Sequence, residues 1–292
     1  MKFKKAERKE SHLRIALSGP SGSGKTYSAL LMAKGLGSKS IAVIDTERGS
    51  ASLYSDLVDF DTLELTAPFT PQRYIDAIKL TVSGGYDTLI IDSITHEWNG
   101  SGGCLEMVDV ASKTKFKGNS YMAWSSVTPK HNAFLEAILQ SPLNVICTLR
   151  SKHEYVITEN AKGKSAPQKV GMAPVQRDGI EYEFTAVLDL SVPDHYAMVS
   201  KNRTSVLSSQ PFIIDESIGE GLKGWLSSAA PADDLLASAL VDMELSGSLD
   251  QLRDKYTWYL RELGNRGSEA DIVALTNLKD ELKVKLDDTI KS

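Results

Sequence analysis

The sequence predicts an α/β fold whose central, mainly parallel sheet is extended by antiparallel strands, over residues 11–226, followed by a small helical module. Three observations carry that expectation. Short β-branched runs alternate with helical patterns, the signature of strands joined by helical crossovers. The glycine-rich stretch Gly19–Thr26 falls between an apolar strand and a helical run. Beyond residue 234 the apolar residues keep helical spacing alone.

Leu13–Ser18, Ser40–Asp45, Thr88–Asp92 and Asn144–Leu149 read as buried strands bounded by turn residues. Ser28–Leu36, Gln72–Val82 and Lys130–Leu139 read as the helices between them. After Val156 the pattern changes to consecutive strands, Glu183–Val192 and Tyr196–Lys201, expected to extend the sheet in antiparallel fashion. Residues 1–10 form a basic arm, and the small, Pro-containing segment 227–234 is a linker. Residues 235–292, punctuated only by Gly247, Gly264 and Gly267, should form two or three helices. No internal repeat is present.

Composition narrows the class. Of 292 residues, 41% are hydrophobic and 24% charged, as in a globular chain with a sizeable core. The net charge of −5 belongs to the tail: residues 231–292 hold 8 Lys+Arg against 13 Asp+Glu, and the preceding body holds 25 of each. A balanced body can still bind nucleic acid where its cations cluster. The opening residues lack an apolar leader, and no stretch approaches a membrane span, so a cytoplasmic protein without membrane contact is expected. Cys104 and Cys147 lie among apolar or small residues and read as reduced core thiols.

The chemistry concentrates in Gly19-Pro-Ser-Gly-Ser-Gly-Lys-Thr26, which fits G-x-x-x-x-G-K-[ST] in the required strand-to-helix context. Glycines let successive backbone N–H groups curl around an anion, and the helix N-terminus adds partial positive charge. Gly19, Pro20, Ser21, Gly22, Ser23, Gly24, Lys25, Thr26 and the adjacent Tyr27 are therefore the nucleotide-binding candidates, for ATP with Mg2+. Lys25 would reach the β/γ-phosphates and the Thr26 hydroxyl would ligate magnesium. Asp92, ending the buried run Tyr86–Asp92, is the second magnesium candidate, as a strand-end acid following such a loop. Hydrolysis also needs a group that orients water. Glu47, closing Val43–Glu47, and Glu97, after the Asp92 strand, both qualify on sequence.

Together the phosphate loop, Ile44-Asp-Thr-Glu47 and Ile90-Ile-Asp-Ser93 resemble the core of RecA-like recombinases. That resemblance implies Glu47, rather than Glu97, as the water-activating acid. Val199-Ser-Lys-Asn-Arg203 resembles the paired cations of recombinases and of hexameric DnaB-type helicases. By that likeness Lys201 and Arg203 would enter the ATP site of a neighbouring subunit in a homo-oligomer with shared sites. Arg150 stands where the family places a γ-phosphate sensor, commonly Gln. Ile91–Trp98 and Trp124–His131 are similar to phage-encoded RecA-like ATPases that act in single-strand annealing, which implies a phage protein working in a bacterial cytoplasm. The resemblance covers roughly residues 11–226. Phe3-Lys-Lys-Ala6 also fits the two-position F-x-x-A signature by which eukaryotic recombinases dock an arm on the next protomer.

Recombinases contact DNA through loops after the Asp92-type strand and the next one. Residues 111–130 carry Lys113, Lys115, Lys117 and Lys130 without an acid, interleaved with Phe116, Tyr121 and Trp124. Cations for phosphates and aromatic faces for bases are the composition of a single-strand DNA groove. Residues 152–179, with Lys152, Lys162, Lys164, Lys169 and Arg177, read as a second such loop. The implied function is ATP-driven DNA recombination by annealing or strand exchange, with single-stranded DNA as partner and a single-strand-binding protein as a candidate partner of the tail. A replication or packaging motor and a small-molecule kinase are the rival classes.

Overall fold

The computed structural model describes residues 11–159, 165–227, 232–264 and 269–291. They fall into two units, His12–Trp225 and a unit within Leu226–Ser292. The basic arm, with Phe3, lies outside the described residues.

The first unit runs β1 (Arg14–Gly19), α1 (Lys25–Gly35), β2 (Ile41–Asp45), β3 (Asp61–Glu64), α2 (Pro71–Ser83), β4 (Thr88–Asp92), α3 (Thr95–Asn99), α4 (Cys104–Lys115), α5 (Ser120–Gln140), β5 (Asn144–Glu159), β6 (Ser165–Pro174), β7 (Ala186–Leu190), β8 (Tyr196–Asn202), β9 (Phe212–Ile213) and α6 (Glu216–Ser227). The sheet order is β3-β2-β4-β5-β1-β7-β8-β9, with β6 paired to β5. β1, β2 and β4 are buried along their whole length because apolar residues cover both faces, as parallel strands under helices require. On one face, Tyr74 of α2 and Phe134 of α5 meet edge to face over Ile91 and Val145. The buried Arg14 guanidinium donates to the carbonyls of Leu13, Leu139, Ser141 and Leu143, tying the start of β1 to the turn before β5. Burial lowers its pKa to about 10, so it stays charged near neutrality.

Three expectations are corrected and one strand is added. β7 pairs parallel to β1, from Ile15↔Ala186 to Ser18↔Asp189, and only β8 and β9 continue antiparallel. The cause is the segment after β6, which leaves Arg150 and reaches Arg14 at the opposite end of the sheet before β7 begins, with Val175 N–H donating to Arg150 and Thr185 N–H to Arg14. Within 152–179, residues up to Glu159 and from Ser165 to Pro174 pair as antiparallel strands rather than lying in an open loop. Residues 111–130 belong to α4, a tight turn and the long α5. Finally, β3 is an added edge strand, and its exposed Asp-Thr-Leu-Glu offers no apolar run to announce it.

In the second unit, α7 (Ala232–Glu244), α8 (Leu249–Gly264) and α9 (Glu269–Lys291) pack around Ala239, Met243, Leu252, Leu263 and Leu275. Tyr259 and Lys255 both reach Asp242, at 3.4 and 3.0 Å, tying α8 to α7.

α1 and α6 meet at two glycines. A Cβ on Gly35 would stand 1.9 Å from the Glu216 carbonyl, and one on Gly219 would stand 2.3 Å from the Met32 carbonyl. Gly35→Ala should therefore lower stability by about 1–3 kcal/mol, the usual cost of overpacking, as read from a urea denaturation midpoint.

Candidate functional site

β1 ends at Gly19, and the chain turns through Gly22 (φ 78°) and Gly24 (φ 85°) into α1. Only glycine takes that left-handed conformation at no steric cost. Gly19 is constrained differently, since a Cβ there would lie 2.4 Å from Ser23 Oγ. The Lys25 ammonium folds back over this loop and donates to the carbonyls of Gly19 (3.0 Å) and Pro20 (2.7 Å). Burial lowers its pKa, while Asp92 and Glu47 pull it back up. The lysine is thus held at the centre of a ring of loop backbone by neutral acceptors, which an anion can outbid.

Asp92 sits at the end of β4, 2% exposed. Thr26 donates a short hydrogen bond to its Oδ2 and Thr148 of β5 another to its Oδ1. Burial raises the carboxyl pKa and the two hydroxyls oppose that rise. The next peptide, Asp92–Ser93, is cis. Thr46 braces this point: its N–H donates to Asp92 O (2.7 Å), its Oγ1 accepts from Ser93 N–H (2.8 Å) and it pairs with His96 Nδ1 (2.7 Å). His96 in turn stacks on Phe69.

Glu47 lies just past β2, where Asp45 accepts the N–H groups of Glu47 (2.6 Å) and Ala51 (2.9 Å) and so shapes the following turn. Arg150 of β5 grips Glu47 through two parallel bonds, Nε to Oε1 (2.9 Å) and Nη2 to Oε2. Both line a cavity of about 460 Å³ together with Gly22, Lys25, Thr26 and Asp92. At its rim Tyr27 meets Tyr54 edge to face, with ring centroids 5.8 Å apart. Tyr54, Thr148, Thr46 and His96 were not singled out from sequence. Thr46 and His96 lie inside runs already quoted, Ile44–Glu47 and Ile91–Trp98, but what brings these residues to the site is long-range contact in the fold.

The remaining candidates are placed elsewhere. Glu97 is fully buried against His131, Cys104 and Gln176 and lines neither this cavity nor its neighbour. Lys201 donates to the carbonyls of Glu181 (2.7 Å) and Tyr182 (2.6 Å), and Arg203 to Tyr182 (3.1 Å). Lys201 pairs with Val187 early in β7, at the opposite end of the sheet from the phosphate loop, so neither cation enters the cavity of its own chain.

On the helical hairpin, Lys113 and Lys115 are exposed at the end of α4, and Lys117 occupies the turn with φ 51°. Tyr121 is 87% exposed, but Trp124 stacks on Trp98 and packs against a buried cluster around Val108. That packing corrects the expectation that Trp124 offers a free face to DNA bases. Lys162 and Lys164 lie outside the described residues. Lys169 falls on β6 opposite Tyr155, and its side chain lies outside them too.

Replacing Thr46 by Val keeps its shape and removes its hydroxyl, leaving the buried Ser93 N–H without an acceptor. We expect a loss of about 1–3 kcal/mol, measured by chemical denaturation, against a change near zero for Ser83→Ala at the exposed end of α2.

Among the described residues no helix is long and apolar enough to cross a membrane. No curated protein matches the chain. Among solved structures it is similar to the RadB recombinase, at 21% identity and a TM-score of 0.42, over 70% of this chain and 89% of that one. A family model described as an AAA domain matches residues 11–211, more than half of the chain. With the phosphate loop and the strand-end Asp92 inside that span, the chain belongs to the AAA-domain family of P-loop ATPases.

Proposed function

We propose that the chain hydrolyses ATP to drive DNA recombination, binding single-stranded DNA and promoting annealing or strand exchange in the cytoplasm. One observation carries the catalytic part: Lys25, Thr26, Asp92, Glu47 and Arg150, drawn from four segments, line a single cavity.

ATP phosphates attract Lys25 away from the loop carbonyls, and the glycine turn supplies N–H donors around them. Thr26 Oγ1 and the Asp92 carboxylate touch, a pair of hard oxygen donors that fits Mg2+. Magnesium held there would neutralise phosphate charge. A γ-phosphate competes for the Arg150 guanidinium. Arg150 then releases Glu47, whose carboxylate orients the attacking water and accepts its proton. The Tyr27–Tyr54 pair gives the nucleobase an aromatic edge at the rim.

The DNA part rests on the helical hairpin. Residues 110–135 contain no Asp or Glu, and Lys113, Lys115, Lys117, Lys130 and Tyr121 are all exposed. Lys201 and Arg203 lie far from their own cavity, so they would act in the cavity of a second copy, which makes the working form a homo-oligomer. The acidic helical unit is left to engage a partner such as a single-strand-binding protein.

ATP turnover with and without single-stranded DNA, alongside electron microscopy of both samples, tests this reading. Turnover stimulated by DNA, with DNA-dependent assemblies, supports it. Phosphate transfer to a small molecule without DNA stimulation replaces it with a kinase, and closed rings that form without DNA favour a motor. Glu47→Gln should retain ATP binding and lose at least about 100-fold in kcat. Replacing Lys113, Lys115 and Lys117 together by Ala should flatten the slope of log affinity against log salt by about 2 for single-stranded DNA. An unchanged slope would remove the hairpin from the DNA site.

A further inference from the structure

Behind the α4–α5 hairpin, away from the phosphate cavity, three chemically distinct side chains converge. Glu97 of α3 and Cys104 of α4 have no exposed surface, and His131 of α5 has 1%. Cys104 Sγ stands 3.0 Å from Glu97 Oε1, and His131 Nδ1 stands 3.1 and 3.2 Å from the two Glu97 oxygens. One donor atom from each lies within 4.8 Å of the others. Around them are Val108, Ala111, Ala123 and Val127, with Trp98 and Trp124 closing the cluster.

Cys104, His131 and Gln176 all hydrogen-bond the Glu97 carboxylate, so what the carboxylate lacks is balanced charge rather than hydrogen-bond partners. A carboxylate with no exposure needs a full counter-charge, yet among the described residues its ion-pair partner is His131 and no Lys or Arg. Among the described residues His131 Nε2 is buried without a hydrogen-bond partner. Gln176 Nε2 donates to Ile94 O (3.0 Å) and to Glu97 Oε2 (3.4 Å), fixing the carboxylate as outer-sphere groups fix metal ligands.

We propose that Glu97, Cys104 and His131 bind one Zn2+. Thiolate, imidazole and carboxylate are the donor types zinc takes, and donors about 2.0–2.3 Å from one ion stand roughly 3.4 Å apart in tetrahedral geometry, close to the spacings of Glu97 from Cys104 and from His131. On binding, the Cys104 thiol gives its proton to solvent, and the two anionic ligands balance the two charges of the ion. Three protein donors leave the fourth tetrahedral position to a water molecule, and the burial of all three suits a structural role, a clamp joining α3 to the hairpin.

The test uses the full-length protein and does not involve ATP or DNA, so it stands apart from the proposed activity. Protein stripped with chelator is titrated with Zn2+, and with Co2+ as a spectroscopic probe. The expected result is one Zn2+ per chain, a higher Tm, and with Co2+ a thiolate-to-metal charge-transfer band plus intense tetrahedral d–d bands. Cys104→Ala should abolish the charge-transfer band and Cys147→Ala, at the other cysteine, should keep it. Stripped wild-type protein that takes up neither metal stoichiometrically, or a charge-transfer band surviving in Cys104→Ala, overturns the proposal. The wild-type titration decides even if a variant fails to fold.

Discussion

Everything at the nucleotide site depends on one buried carboxylate being held where β2 and β4 end beside β5. Asp92 closes β4, the strand between β2 and β5, so its neighbours in the sheet bring Thr46 on one side and Thr148 on the other. Thr26, the second residue of α1, reaches it from the phosphate loop. An unpaired carboxylate in this interior would cost several kcal/mol, and two hydroxyl donors offset that cost, Thr148 holding Oδ1 and Thr26 meeting Oδ2 from the loop. The same contacts fix α1 against β4, so the loop that receives the phosphates and the acid that faces them move as one body.

The second constraint is the Glu47–Arg150 pair. It lies at the mouth of the cavity, partly exposed, where water screens it and its contribution to stability is small. Its meaning is positional. The acid suited to orient water and the cation suited to meet a γ-phosphate are each other's partners, so one cannot act until the other is drawn away. A weak, solvent-screened bond is the kind that a triphosphate can displace.

Much of this was legible in the sequence, and the limits have physical causes. The phosphate loop is written in eight consecutive residues because one backbone turn makes it. Asp92 could be found because it ends a buried strand downstream of that loop, a context that a strand-end acid alone does not supply. Glu47 and Arg150 were each noticed, but their pairing spans 103 residues and depends on sheet order, which local pattern does not carry. Trp124 misled for a related reason. Aromatic and cationic residues interleaved in sequence look like a stacking groove, yet on a helix they separate by face, and α5 turns Trp124 to the core and Tyr121 to solvent. The β5–β6 hairpin was hidden because Ser151–Glu154 is polar and Ser165–Lys169 holds a proline among small and polar residues, so neither run alternates polar with apolar residues.

The most direct measurement is a crystal structure of the chain with magnesium and a non-hydrolysable ATP analogue. The account predicts Lys25 on the phosphates and off the Gly19 and Pro20 carbonyls, Arg150 turned to the γ-phosphate, and Glu47 free beside it. A structure in which the Glu47–Arg150 pair persists with the γ-phosphate bound would contradict it.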